Sequence, residues 1–101
     1  MKMRVISVKR LRQFWQQKDY RDSEQTLRAW YAEARKANWK GPHEIKAQYR
    51  SASIVGNDRV VFNICGNKYR LVVALKYDFG IVFVKFIGTH KQYDRINVEE
   101  I

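Results

Sequence analysis

Residues 59–94 read RVVFNICGNKYRLVVALKYDFGIVFVKFIGTHKQYD, and the order of elements in this stretch decides the fold. Arg59–Cys65, Tyr69–Tyr77 and Ile81–Gly88 are rich in Val, Ile, Phe and Tyr, which suit a pleated, half-buried surface. They predict three consecutive strands. Gly66-Asn67 predicts a two-residue hairpin turn of type II′, because glycine tolerates the positive φ that such a turn needs at its first position. The turn fixes the register. Side chains alternate across a strand, so Val60, Phe62 and Ile64 share an apolar face with Tyr69, Leu71, Val73, Leu75 and Tyr77. The opposite face collects Arg59, Val61, Asn63, Lys68, Arg70, Val72, Ala74 and Lys76, which are cations spaced by small apolar residues.

The third strand is apolar on both sides apart from Lys85. A three-residue connection over Asp78-Phe79-Gly80 would aim Lys85 into the core, whereas a connection of two or four residues puts it on the face of Arg70. An unpaired ammonium is very costly in an apolar interior, so the even connection is expected. Thr89-His90-Lys91-Gln92 matches a capping box, with Thr at the N-cap and Gln three positions on. A short helical turn from His90 to about Ile96 follows, with His90, Tyr93 and Asp94 on one side.

Upstream, Met3–Ile6 is a short strand candidate and Ser7 a plausible N-cap. Val8, Leu11, Phe14 and Trp15 recur at helical spacing and predict a first helix to about Lys18. A polar break follows over Asp19–Ser23, and Asp22 or Ser23 can cap a second helix with Leu27, Trp30, Tyr31 and Ala34 as its apolar stripe. That helix should stop near Trp39, ahead of Gly41-Pro42. Trp30 and Tyr31 read as core residues; Trp39 lies off the stripe. Pro42–Arg50 can make a helical turn with Ile45 and Tyr49 inward, and Ser51–Val55 a strand joined to Arg59 through Gly56-Asn57-Asp58. Helices first and antiparallel strands after argue for the α+β class, with two N-terminal helices packed on one face of a twisted, mainly antiparallel sheet and a short C-terminal helical turn.

The 101 residues suit a single domain spanning 1–101, and their high aromatic share argues against a disordered chain. The net charge of +10 suits nucleic acid, an anionic membrane face or an acidic protein. It is unevenly spread: residues 1–50 hold thirteen Lys and Arg against five acids, and no acid precedes Asp19. An extended polyanion is the economical partner for Lys9, Arg10, Arg12 and their neighbours. The one cysteine, Cys65, excludes an internal disulfide and fits a reducing cytoplasm. No run is long enough to span a bilayer, so no membrane role is expected.

The chemistry left open is narrow. Two distant histidines and one cysteine make no metal cluster, the carboxylates are scattered, and there is no Gly-rich phosphate loop or Gly-x-Ser-x-Gly elbow, so neither metal nor cofactor is expected. Arg, Lys, His and Tyr remain. That set suffices to cleave RNA, whose 2′-hydroxyl is itself a nucleophile needing only a base, an acid and cations around phosphorus.

Val60–Leu75 (VVFNICGNKYRLVVAL) and Val84–Asp94 (VKFIGTHKQYD), in this order after two helices, resemble the HigB-type toxins of bacterial toxin–antitoxin modules, within the RelE-like mRNA interferases. The resemblance covers most of the chain. It implies an endoribonuclease that cuts mRNA on the translating ribosome and is neutralised by a cognate HigA-type antitoxin. It also implies a strand arginine, a basic residue on the next strand and a C-terminal tyrosine or histidine, which fall by position on Arg70, Lys85 and on His90 or Tyr93. Some members use lysines as base, so Lys68, Lys85, His90 and Lys91 all stand as candidates.

Taken together, Arg70 and Lys85 are expected to brace the scissile phosphate, with His90 and Tyr93 for proton transfer and substrate positioning. At the first position of its turn, where the helix dipole disfavours a cation, His90 suits a neutral imidazole base. Lys68, Lys91, Arg59, Lys76, Lys9, Arg10 and Arg12 are expected to bind RNA, while His43 beside Pro42 reads as structural. A non-enzymatic RNA- or DNA-binding module, or a surface for an acidic protein partner, are the alternatives.

Overall fold

A computed structural model describes residues 2–101. Its elements are β1 (Arg4–Ile6), α1 (Val8–Trp15), a 3₁₀ segment (Lys18–Ser23), α2 (Glu24–Lys36), α3 (Pro42–Gln48), β2 (Ser53–Val55), β3 (Arg59–Ile64), β4 (Tyr69–Lys76), β5 (Ile81–Thr89) and α4 (His90–Tyr93). The strands form one open sheet in the order β1-β5-β4-β3-β2. Every neighbouring pair is antiparallel except β1 with β5, which run parallel, so the sheet is mixed. This is the expected α+β architecture, with α3 as a third helix on the core face.

The β3–β4 register is the one the Gly66-Asn67 turn dictates: Ile64 faces Tyr69 and Asn63 faces Arg70. Gly66 has φ 66°, and Cys65 before it also lies in the left-handed region at 55°, which no residue type signalled. The apolar face closes over one core. Phe14 stacks on Tyr20 at 4.4 Å, and both meet the ring of Tyr69 edge-on, at 5.3 and 5.8 Å. Phe62 is met by Trp30, Trp39 and Tyr49 at 5.4, 6.4 and 5.1 Å, so Trp39 joins the core.

Several helix expectations are corrected: α2 stops at Lys36, short of Trp39, and α4 at Tyr93, short of Ile96. The first helix ends at Trp15, not Lys18, because the polar break is a 3₁₀ segment that starts at Lys18. Neither Asp22 nor Ser23 caps α2 with its side chain. Ser23 Oγ instead donates to Tyr20 O (2.6 Å), while Asp22 accepts from Tyr69 Oη (2.6 Å) and pairs with Lys68. Asp22 therefore bolts the 3₁₀ segment to the β3–β4 hairpin.

The β4–β5 connection spans four residues, 77–80, so Lys76 faces Ile81 and the even connection holds. Farther along, β5 carries a β-bulge: Val84 faces Val73 and Phe86 faces Val72, leaving Lys85 as an extra residue between them. A bulge of this kind turns consecutive side chains toward one face. Phe86 thus leaves the core face that plain alternation would give it, and Ile87 packs against the core instead.

The face opposite the helices is also covered. After α4 the chain crosses back toward the β2–β3 turn, where Asn57 Nδ2 donates to Glu99 O (2.9 Å) and the Arg59 guanidinium to the backbone oxygen of Ile101. Ile96, Val98 and Ile101 in this segment are half-buried, and Val61, Val72 and Ala74 on the sheet face beneath are buried.

Candidate active site

Three strand ends and one helical turn build the site. Thr89 caps α4: its Oγ accepts from Gln92 N (3.1 Å), and Gln92 Oε1 accepts from Thr89 N (2.9 Å). His90 N donates to Lys68 O (3.3 Å), which docks the turn against the β3–β4 hairpin. These bonds hold a helix of only four residues, far too short to persist alone.

Arg70 projects from β4 toward this turn and is only 9% exposed. Its guanidinium donates to Asn67 O (3.2 Å), Asn67 Oδ1 (2.7 Å) and Tyr69 O (3.4 Å), all of them neutral oxygens. Among the described residues Arg28 pairs with Glu24 and Lys68 with Asp22, and Asp94 faces His90, so no carboxylate answers Arg70. Burying a charge is expensive unless it is paired and hydrogen-bonded. Carbonyl dipoles and the Tyr93 ring, whose centroid lies 5.9 Å from Cζ, compensate in part. A bound anion would complete the compensation.

His90 and Tyr93 stand together on α4 with ring centroids 6.5 Å apart. Asp94 Oδ2 lies 3.3 Å from His90 Nδ1, which leaves Nε2 as the nitrogen outside that contact. His90 is half-exposed.

Lys85 is on the same sheet face but not in this cluster. It lies three residues along β5 from Gly88, the partner of Arg70, a separation of about 10 Å at strand spacing. Its ammonium lies 5.9 Å from the Phe83 ring. Arg10, from α1, donates from Nη1 to Val84 O (3.3 Å), the backbone beside Lys85. The structure thus gathers Arg70, His90 and Tyr93 at one spot and sets Lys85 apart from it.

The remaining cations divide. Lys9, Arg12 and Lys91 are exposed. Lys68 is held by Asp22, which keeps that carboxyl below the usual carboxylate range through the hydrogen bonds from Lys68 and Tyr69. Arg59 is tied to the backbone of Asn57 (2.8 Å) and Ile101. Lys76 stands at the far end of the face in a groove with Lys40, Asp58, Asp78 and Phe79.

Asn67, Phe86 and Gly88 belong to this site and went unmarked in the sequence. A Cβ built on Gly88 would lie 2.6 Å from Phe86 Cζ and 2.6 Å from Gln92 Oε1. The Phe86 ring therefore rests on the bare backbone directly across from Arg70, and its centroid is 6.5 Å from that of Tyr93. A glycine ahead of a capping box could have signalled close packing; the bulge that delivers Phe86 has no such mark.

Residues 23–96 match the model of the HigB toxin family, described as the RelE-like toxic component of a toxin–antitoxin system. The chain belongs to this family. The match takes in α2 through α4, and with them every site residue from Asn67 to Asp94, while β1 and α1 lie outside it. As a HigB-type toxin the protein has an antitoxin for a partner. No curated protein matches the chain. Among the described residues, no helix is long and apolar enough to cross a membrane, and no three His, Cys, Asp or Glu side chains gather as a metal site requires.

Proposed function

We propose that this HigB-type toxin is a metal-independent endoribonuclease that cleaves mRNA on the translating ribosome and is silenced by a HigA-type antitoxin. One observation carries the reading: Arg70 is a nearly buried guanidinium bonded only to neutral oxygens, beside an imidazole and a phenol. A phosphodiester supplies the missing anion, and the two rings supply proton transfer.

In this mechanism His90 Nε2 takes the proton of the ribose 2′-hydroxyl, and the 2′-oxygen attacks phosphorus. Negative charge builds on the phosphorane oxygens, where Arg70 offsets it. The bond to the 5′-oxygen breaks, and that oxygen leaves as a hydroxyl with a proton from Tyr93. The products are a 2′,3′-cyclic phosphate and a 5′-hydroxyl. A neutral imidazole is the better base here, because it works nearer neutral pH than an ordinary lysine. Lys85, with Arg10 behind it, holds the flanking backbone, and the exposed Lys9, Arg12 and Lys91 add phosphate contacts.

The test is the chemistry of the cut ends on programmed ribosomes. The upstream fragment should end in a 2′,3′-cyclic phosphate or its 3′-phosphate hydrolysis product, and a 2′-deoxy substitution at the cut should block the reaction. An upstream fragment with a free 3′-hydroxyl would mean that water attacked, and would overturn the assignment.

A further inference from the structure

Three separate features bring Phe86 to one place. The bulge at Lys85 shifts β5 by one residue and turns Phe86 out of the core onto the face of Arg70. Gly88 then leaves the space for its ring, since any Cβ there would collide with Phe86 Cζ. The capping-box side chain of Gln92 meets the same point from α4, and Tyr93 borders the ring at 6.5 Å. The outcome is a half-buried aromatic ring on the face of a guanidinium with no counter-ion. An apolar residue needed only to cover Val72 requires neither an aromatic ring nor a glycine beneath it.

Proteins hold single-stranded nucleic acid by two means, cations along the backbone and aromatic faces under the bases. Arg70 serves the first, and the site so far holds nothing for the second. Tyr93 is engaged with Arg70 and His90. We infer that Phe86 is the stacking platform for the base next to the cut, and that stacking there sets the scissile phosphate against Arg70. The inference rests on the ribonuclease reading and deepens it. Phe86 is a positioning residue: it takes no proton and touches no reacting atom. Because every base has a π-face, it fixes where the strand is cut relative to Arg70 without selecting which base lies there.

The experiment compares wild-type toxin with Phe86→Leu and Phe86→Trp on ribosome-bound mRNA. The message is used intact and with a single abasic ribose on either side of the cut. Thermal unfolding and antitoxin binding check each protein's fold. Phe86→Leu should cut intact mRNA about 5- to 150-fold more slowly, the rate equivalent of about 1–3 kcal/mol for one stacked base. Phe86→Trp should recover most of that loss. On one abasic message the wild type should fall by a similar factor while Phe86→Leu barely changes. A merely structural ring would not give that pattern. Should Phe86→Leu fail to fold, Phe86→Met carries the same comparison. Equal sensitivity of both proteins to every abasic position would overturn the role of Phe86 and leave the ribonuclease reading standing. A wild-type toxin that leaves intact mRNA uncut would overturn both.

Discussion

Arg70 and Lys76 stand on one strand and one face of the sheet, six residues or about 20 Å apart, and their surroundings are opposite in kind. Lys76 is exposed in a groove that also holds Asp58 and Asp78, so water and nearby carboxylates can answer its charge. Arg70 is nearly closed off, with three bonds to neutral oxygens and an aromatic ring beside it. In the sequence both are simply alternating cations. Burial without a counter-ion separates them: the Arg70 guanidinium has no charged partner, while the Lys76 ammonium stands among carboxylates at an exposed edge.

Substitution tests that contrast directly. Arg70→Ala should reduce mRNA cleavage by more than about 100-fold, the scale on which one preorganised donor to a developing oxyanion matters. Its thermal midpoint should hold or rise, because the variant no longer buries an unpaired charge. Lys76→Ala should change cleavage by less than about threefold, as surface substitutions commonly do. Growth inhibition in cells and cleavage of ribosome-bound mRNA read out both. A folded, fully toxic Arg70→Ala protein would erase the distinction between the two ends.

A smaller effect is expected at the glycine between β5 and α4. Gly88→Ala puts a methyl 2.6 Å from both Phe86 Cζ and Gln92 Oε1. The ring or the cap must move, at a cost of about 1–3 kcal/mol typical of overpacking. Cleavage should fall about tenfold or more, with a matching drop in denaturation midpoint. Wild-type values in both assays would show that the site tolerates a displaced ring.

The smallest effect separates the site from the bolt beside it. Asp22 has a lowered pKa in the fold because Lys68 and Tyr69 bond to its ionised form. A lowered pKa stabilises the fold above the unfolded value, near 3.9, and that contribution vanishes as pH falls through the folded value. Asp22→Asn should therefore lose stability relative to wild type near neutral pH, and the two thermal midpoints should converge as pH falls through the lowered folded-state value. A gap that persists at low pH would place the contribution in packing instead of charge.

The three consecutive strands β3 to β5, the β3–β4 register and the capping box on Thr89 were all legible, because each is written in local residue types: alternation, a glycine turn, and Thr with Gln three positions on. The side of Lys85 could be read from the cost of burying an ammonium. Other features depend on contacts between distant segments. Asp22 looks like a helix cap in the sequence but spends its oxygens on Tyr69 and Lys68, more than forty residues away. The outer face looks open in a strand-by-strand reading, and only the return of the chain to Arg59 covers it. The bulge escapes pattern reading for another reason. Phe86 and Ile87 are both apolar, so alternation has no polar mark with which to choose between them.

The bulge also separates what the sheet requires from what the chain carries. Remove Lys85 in thought and the pairs on either side, Val73 with Val84 and Val72 with Phe86, become consecutive rungs of an unbroken ladder. The sheet has one residue more than its hydrogen bonding needs, and that residue is the lysine. Its absence would leave no gap in the core and no unmatched strand end. A one-codon deletion there would give a chain of nearly the same shape without one of the cations on its outer face. At this position the length of the chain answers to the surface and not to the interior.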